Sequence, residues 1–294
     1  MADPRLRRLA PALLRRAGLE KGFNYVHPLR LGGRRFDIPL EGGFGETLLK
    51  LEPDFKFDVV TLFADSTPGW FVDIGANIGQ TVLEAFAARR WERYFALEPD
   101  LVAAGYIRRL VELNDLPVDV APWAAGTHAA PQQLRSKGAA DASATMAPEA
   151  RPGAYDARTS RWVPAYPLDR LLDLAPMPKG LTIKIDVEGF ECDVLDGARE
   201  ILTSLRPLLI CEVLRAYSPE EVGPVHARME RLEQILSSHG YRIFYIEMEE
   251  GSAERLRGFR QVAAFPRGEW KDNPTGYDYL FAPAEMALPF PVVR

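Results

Sequence analysis

The chain has 294 residues, 47% of them hydrophobic, and a formal net charge of −5. That length suits one large α/β domain, or one domain with a substantial accessory piece, and it can bury a core. No global positive field favours nucleic acid or an anionic membrane, and no apolar run is long enough to predict a transmembrane helix.

Residues 5–17 place Leu6, Leu9, Leu13 and Leu14 among arginines, with Pro11 interrupting. The spacing predicts a short helix with a basic outer face. Packing against the domain is the plain expectation, and peripheral membrane contact the sharper one. The segment lacks the continuous apolar stretch of a signal peptide. Val26 to Leu31 and Arg34 to Leu40 flank Gly32-Gly33 and predict a β-hairpin. Two short helical patterns follow over 45–64. Residues 1–65 are read as an N-terminal cap that does not fold independently, and 66–294 as the main domain.

From Trp70 onward, strands alternate with helices. Strand signals fall at 70–74, 94–97, 118–121, 181–187, 207–213, 241–246 and 277–282. Helical patterns occupy 79–90, 100–113, 190–204 and 224–239. This predicts a doubly wound, mostly parallel seven-stranded sheet, Rossmann-like in plan. The last strand, with a separate extended run at 260–265, is expected to form an antiparallel edge. Residues 126–167 are rich in Ala, Pro, Ser, Thr and Gly and read as a long loop or insertion.

The densest signal is Phe71-Val-Asp-Ile-Gly-Ala-Asn-Ile-Gly79 with Glu98 after the next strand. A dinucleotide turn needs G-x-G-x-x-G so that backbone can approach a pyrophosphate. Counting from Gly75, Asn77 and Gln80 occupy the second and third glycine positions, so an NAD-dependent oxidoreductase is disfavoured. Asp73 at the strand end would repel a pyrophosphate and suits a cationic amino group. Gly75 permits a sharp turn, and Gly79 lets the helix start close to the strand. A carboxylate at Glu98 can accept hydrogen bonds from ribose hydroxyls. Pro99 stops the strand and Asp100 is placed to cap the next helix. An ammonium, a ribose and an adenine together describe S-adenosylmethionine.

A second acidic constellation is Leu181-Thr-Ile-Lys-Ile-Asp-Val-Glu-Gly-Phe190. Asp186 and Glu188, two apart at a strand's carboxyl end, are expected to face one cleft. Close carboxylates raise one pKa and create a general base. The competing readings are a divalent cation, which two carboxylates do not specify, and pairing with Lys184 or an arginine. Glu212 ends the next strand and is expected to face the substrate. Cys192 and Cys211 give neither a disulfide framework nor metal-ligand spacing; buried thiols in a reducing cytoplasm fit them. Hydrolase elbows and phosphate-binding loops are absent from the sequence.

Residues 71–81, Ala-Leu-Glu-Pro-Asp (96–100), Tyr-Pro-Leu-Asp-Arg-Leu (166–171) and Ile-Lys-Ile-Asp-Val-Glu-Gly-Phe-Glu (183–191) resemble the FkbM-type S-adenosylmethionine-dependent methyltransferases. Val194 to Ala198, Arg206-Pro207 and Glu212 extend the resemblance, which covers about 70–213. It implies a class I methyltransferase fold and methyl transfer to a hydroxyl of a small-molecule, sugar, glycan or polyketide acceptor. By that resemblance Asp73, Gly75, Asn77 and Gly79 line the cofactor's methionine end and Glu98 its ribose, with Ala76, Gln80, Thr81 and Pro99 also expected to bind the cofactor. Asp186 and Glu188 serve the reaction, with Asp186 the first choice of base. No metal is called for. Pro122-Trp123-Ala124 stands where the family often has Asn-x-Ala; Trp123 offers a face for adenine. The rival reading from another class is a non-catalytic cofactor-binding scaffold.

Overall fold

The computed structural model describes residues 25–41, 44–64, 69–89, 91–147, 155, 159–173, 178, 180–249, 255–268 and 278–288. The basic segment at 5–17 lies outside them. The hairpin forms as expected: β1 (Tyr25–Leu31) pairs antiparallel with β2 (Arg34–Leu40). Gly32 and Gly33 take left-handed backbone angles that suit its two-residue turn. Two helices follow, α1 (Gly45–Leu48) and α2 (Phe55–Ala64).

The main sheet begins with β3 (Trp70–Ile74), α3 (Gln80–Ala88), β4 (Arg93–Leu97), α4 (Leu101–Leu113) and β5 (Val118–Ala121). After the insertion come β9 (Leu181–Ile185), α5 (Glu191–Asp196), α6 (Arg199–Ser204) and β10 (Leu208–Glu212). Then follow α7 (Val222–Ser238), β11 (Tyr241–Met248), β12 (Leu256–Val262) and β13 (Asp278–Pro283). The strand order is β12-β11-β13-β10-β9-β3-β4-β5, eight strands where seven were expected. The eighth is β12, the extended run before Phe265. The four strands from β9 to β5 and β10 are mutually parallel, whereas β13 inserts between β10 and β11 and pairs antiparallel with both. The antiparallel portion is therefore a block of three strands at one side, with β12 at its outer edge.

The insertion is not an unstructured loop. It carries a small sheet of order β6-β8-β7, formed by β6 (Ala124–Ala125), β7 (Ala130–Leu134) and β8 (Arg161–Tyr166). Pro131 and Pro164 sit opposite each other in it. Proline inside a short run argues against a strand, which hides this sheet from sequence patterning. The single helix expected over 190–204 is likewise two. Gly197 stands between them, where a Cβ would lie 2.0 Å from the Gly126 carbonyl oxygen.

Each face of the sheet buries its own apolar layer. On one side the hairpin, α2, α3 and α4 pack over Phe71, Tyr94, Ile210, Phe244 and Leu280. On the other, α5, α6 and α7 cover Val72, Ile183, Leu209 and Phe281. Phe71 is fully buried, stacked on Tyr94 at 5.0 Å and meeting Trp91 edge-on at 5.0 Å. Phe71→Ala removes the middle of that triplet and is expected to cost about 3–5 kcal/mol, read by chemical denaturation. A loss below about 1 kcal/mol would show that the triplet does not anchor this layer.

Candidate active site

The parallel strands end together, and the turns leaving them form one cleft of about 360 Å³, within the size range of small-molecule sites. Its walls include Gly75, Ala76, Asn77, Gln80, Thr81, Glu98, Pro99, Trp123, Asp186, Glu188 and Glu212. The structure thus gathers most of the sequence-expected residues around one space. Asp73 and Gly79 are placed differently, outside the cleft lining.

Asp73 is 0% exposed. Tyr94 donates its hydroxyl to Asp73 Oδ2 at 3.0 Å, and Lys184 Nζ lies 3.2 Å from Oδ1. Burial pushes the Asp73 carboxyl up, against the opposing pull of Lys184 and the Tyr94 hydroxyl. Lys184 also donates to the Gly75 carbonyl at 2.8 Å and lies 3.3 Å from Asp186 Oδ2. The carboxylate expected to meet a ligand's amino group instead holds a lysine beneath the cofactor turn.

Gly75 has φ +77°, and a Cβ there would lie 1.9 Å from the Asp186 carbonyl oxygen. The close approach requiring glycine is therefore to the neighbouring strand's backbone rather than to a ligand. Gly79, at φ +91°, caps α3 and faces Leu110 of α4. The turn is pinned by hydrogen bonds from the Gly75 and Ala76 amides to the Leu97 carbonyl.

Glu98 has two structural duties. Its Oε2 accepts from the Asn77 amide and its Oε1 from the Asp100 amide, each at 2.8 Å. Each oxygen keeps a further lone pair for a ligand hydroxyl. Asn77 needs the help, since its φ is +47°, a region a non-glycine residue occupies at a cost. Burial pushes Glu98 up to about 7, with the two amides opposing. Asp100 caps α4 through the Val102 amide, as expected, and pairs with Arg161 of β8 at 3.0 Å. That pair ties the insertion to the rim of the cleft. Trp123 stands on the same rim, edge-on to Tyr166 at 5.7 Å.

Asp186 and Glu188 converge, by a route the alternation of a strand does not provide. β9 ends at Ile185, and Glu188 and Gly189 both turn through positive φ. Buried Glu191 fixes this turn by accepting from the Gly189 amide at 2.8 Å, with Arg228 3.6 Å away. The Thr145 hydroxyl, from the insertion, donates to the Glu188 carbonyl at 2.7 Å. Asp186, Glu188 and Glu212 each bring a carboxylate oxygen within 4.8 Å of the others.

These carboxyls do not titrate alike. Burial, the negative charge of Asp186 and a hydrogen bond to it push Glu212 up to about 9. Burial would raise Asp186 too, but Lys184, Lys56 and the hydrogen bond from Glu212 outweigh it, leaving Asp186 at about 2. Asp186 is held down and Glu212 pushed up as one coupled acidic pair, the pattern of two carboxyls sharing a proton. Three groups in this region carry no sequence signature: Lys56 of α2, Glu84 of α3 and Asp278 of β13. Lys56 and Glu84 line the cleft, and Asp278 lies just beyond Glu212. The one available hint was a charged residue set within or beside a strongly apolar run.

Glu84, Glu98, Glu212 and Asp278 are raised to about 8, 7, 9 and 6, in each case first by burial. The folded chain thus keeps protons that the unfolded chain has already released. Their stabilisation is complete below their ordinary values near 4 and is lost as pH rises through 6 to 9. Asp186 has the opposite sign, but its contribution changes only in strong acid. The melting temperature is expected to fall from about pH 5.5 to about pH 9, and Glu84→Gln to flatten the decline. A melting temperature that climbs across this window would contradict the assignment.

A search of curated proteins finds no match. Among solved structures, the chain is similar to a methyltransferase FkbM from Methylobacillus flagellatus KT, with 18% identity and a TM-score of 0.41, covering 73% of this chain and 43% of that one. It therefore spans less than half of that protein's length. It is also similar to a putative O-methyltransferase from Klebsiella pneumoniae, with 13% identity and a TM-score of 0.42, covering 77% and 79% of the two chains. A SAM-dependent methyltransferase from Agrobacterium tumefaciens gives 12% identity and a TM-score of 0.39 over 91% and 73%. The model of the methyltransferase FkbM domain matches residues 73–243, more than half of the chain, and the chain belongs to that family of methyltransferases.

Proposed function

We propose that the cleft binds S-adenosylmethionine and transfers its methyl group to a hydroxyl oxygen of a small-molecule, sugar, glycan or polyketide acceptor. The observation that carries this reading is the Asp186–Glu212 pair, which opens on the same cleft as the turn clamped by Glu98.

The lining fits such a cofactor. Seven carboxyl groups and two ammonium groups line the cleft, namely Asp54, Glu84, Glu98, Asp141, Asp186, Glu188 and Glu212 against Lys56 and Lys184. Setting aside Glu84 and Glu212, whose pKa values are raised above neutrality, the carboxyls still outnumber the ammonium groups. That balance favours a cationic ligand and repels the pyrophosphate of a dinucleotide. Gly75, Ala76, Asn77, Gln80 and Thr81 would hold its amino-acid end, Glu98 and Pro99 its ribose, and Trp123 its adenine. Asp73 and Gly79 would act from below, by holding Lys184 and by starting α3. When bound, S-adenosylmethionine supplies an electrophilic methyl group on a sulfonium.

The chain's own task is then to orient a hydroxyl and take its proton. Asp186 presents an ionised oxygen for this, and Glu188 is the second candidate. A weak base suffices, because an oxygen forming a new bond to carbon becomes strongly acidic as the bond forms. The methyl is already activated, so most of the rate is expected to come from alignment of donor and acceptor. Residues 1–65 and the insertion at 126–167 are proposed to shape the acceptor side, since Leu51, Leu134, Thr145 and Met146 reach the cleft. The excess of carboxyls also speaks against a nucleic-acid acceptor. Cys192 and Cys211 are both free and buried, which suits a reducing, cytoplasmic setting.

Calorimetric titration with S-adenosylmethionine, with NAD for comparison, tests the cofactor. Micromolar binding is expected, weakened at least about tenfold, roughly 1.4 kcal/mol, in Glu98→Ala. Preference for NAD would refute the reading. Screening with methyl-labelled cofactor then separates an enzyme from a binding scaffold. On an acceptor so found, Asp186→Asn is expected to lower kcat by about 10²–10⁴-fold with little change in cofactor affinity. An unchanged kcat would remove Asp186 as the base.

A further inference from the structure

The register of the sheet sets a row of charges across four strands. Asp73 of β3 lies beside Lys184 of β9. Asp186 follows Lys184 by two residues. On β10, Ile210 pairs with Lys184, so Glu212, two residues on, stands next to Asp186. Asp278 of β13 is the cross-strand partner of Glu212. Residues two apart on a strand share a face. The row therefore points toward the layer where Phe71, Ile210 and Leu280 pack, the face that α2 covers.

α2 is seated firmly on that face. Phe55, Val59 and Val60 are buried in the layer, and Asp58 pairs with Arg255 at 3.0 Å and accepts from the Leu256 amide at 3.2 Å. Asp54 caps the helix, accepting from the Lys56 and Phe57 amides. Lys56 thus sits in the first turn, where the helix dipole disfavours a cation. Something else must compensate for it there. Lys56 lines the main cleft, and also a smaller inner cavity of about 10 Å³ shared with Thr81, Lys184, Asp186, Glu212 and Asp278. The charges facing it are Glu84 from α3, Lys184 and Asp186 from β9, Glu212 from β10 and Asp278 from β13.

We propose that Lys56 is a positioning residue: from outside the family-matched region, it closes the inner side of the carboxylate row and supplies the positive charge that lets Asp186 and Glu212 accept and then release the acceptor's proton. This rests on the methyltransferase reading of the cleft. Lys184 alone is shared with Asp73 and the Gly75 carbonyl on the other flank. Lys56 adds a second positive charge on the flank where Glu212 and Asp278 sit side by side. It acts through the carboxyls and not by contact with the acceptor.

The test follows the carboxyls directly and needs no acceptor. Aspartate and glutamate side-chain carboxyls of the full chain are isotope-labelled and titrated by NMR, and Glu212→Gln assigns the Glu212 signal. In the unsubstituted chain that signal is expected to titrate well above the ordinary glutamate range. Lys56→Met should raise it by roughly one unit or more, a tenfold gain in proton affinity, and Lys56→Arg should return it near its starting value. A merely structural lysine would leave it in place. If Lys56→Met does not fold, Lys56→Gln takes its place with the same expected direction. An unmoved Glu212 titration in a variant that melts like the parent chain overturns the proposal. Calorimetry with S-adenosylmethionine on the unsubstituted chain runs alongside. Failure to bind there overturns the functional reading, whereas normal binding with an unmoved Glu212 overturns only the role of Lys56.

Discussion

The buried ammonium of Lys184 is the constraint on which the site depends. It lies at 7% exposure beneath the cofactor turn, touching Asp73, Asp186 and the Gly75 carbonyl at once. A lysine so buried stays charged only if opposite charges repay its desolvation. Burial would lower its pKa, but Asp186 and Asp73 more than reverse that and push it up. The same contacts fix three chain segments relative to one another: the end of β3, the turn after it, and the turn after β9. Gly75 completes the fit, because any side chain there would strike the Asp186 carbonyl. The turn after β3 and the Asp186 carboxylate are thus one mechanical unit.

Glu98 ties a third segment into this unit. The residue expected to bind ribose spends its first two lone pairs on the backbone of Asn77 and Asp100. A binding group that also braces the turn is preorganised, so little ordering remains when a ligand arrives. Asp100 carries the brace onward, to α4 by capping and to the insertion through Arg161. The small sheet of the insertion therefore hangs on the strand end that also bears Glu98.

The sequence made most of this legible where local chemistry and fold agree. The hairpin, the parallel strands, the capping by Asp100 and the convergence of Glu98, Asp186 and Glu212 all follow from periodicity and strand-end position. What stayed hidden depends on partners distant in sequence. Asp73 reads as a ligand-facing carboxylate until Tyr94 and Lys184 are placed beside it. The strands around Pro131 and Pro164 break the usual composition rule, because their sheet is small and lies over the rim. Lys56 and Asp278 stand at opposite ends of the chain's described span, and only the strand register and the seat of α2 bring them together.

The crowding of carboxyls at this cleft runs against the stability of the fold. Burial pushes the Glu84, Glu98 and Glu212 carboxyls well above the ordinary glutamate range. Apolar residues at those positions would avoid that cost, and strongly shifted carboxyls clustered at one cleft are the mark of a functional site rather than of a stabilising core. Two lysines offset part of the excess, Lys184 from β9 and Lys56 from α2. The remainder is a field of negative charge aimed into a cleft of about 360 Å³. A cation entering it would favour the ionised forms and so expel protons from Glu98 first, the carboxyl closest to its midpoint. By linkage, the protons released on binding and the rise of affinity with pH are the same quantity. By that linkage, the cationic cofactor proposed for this cleft would bind more strongly above neutrality than below it.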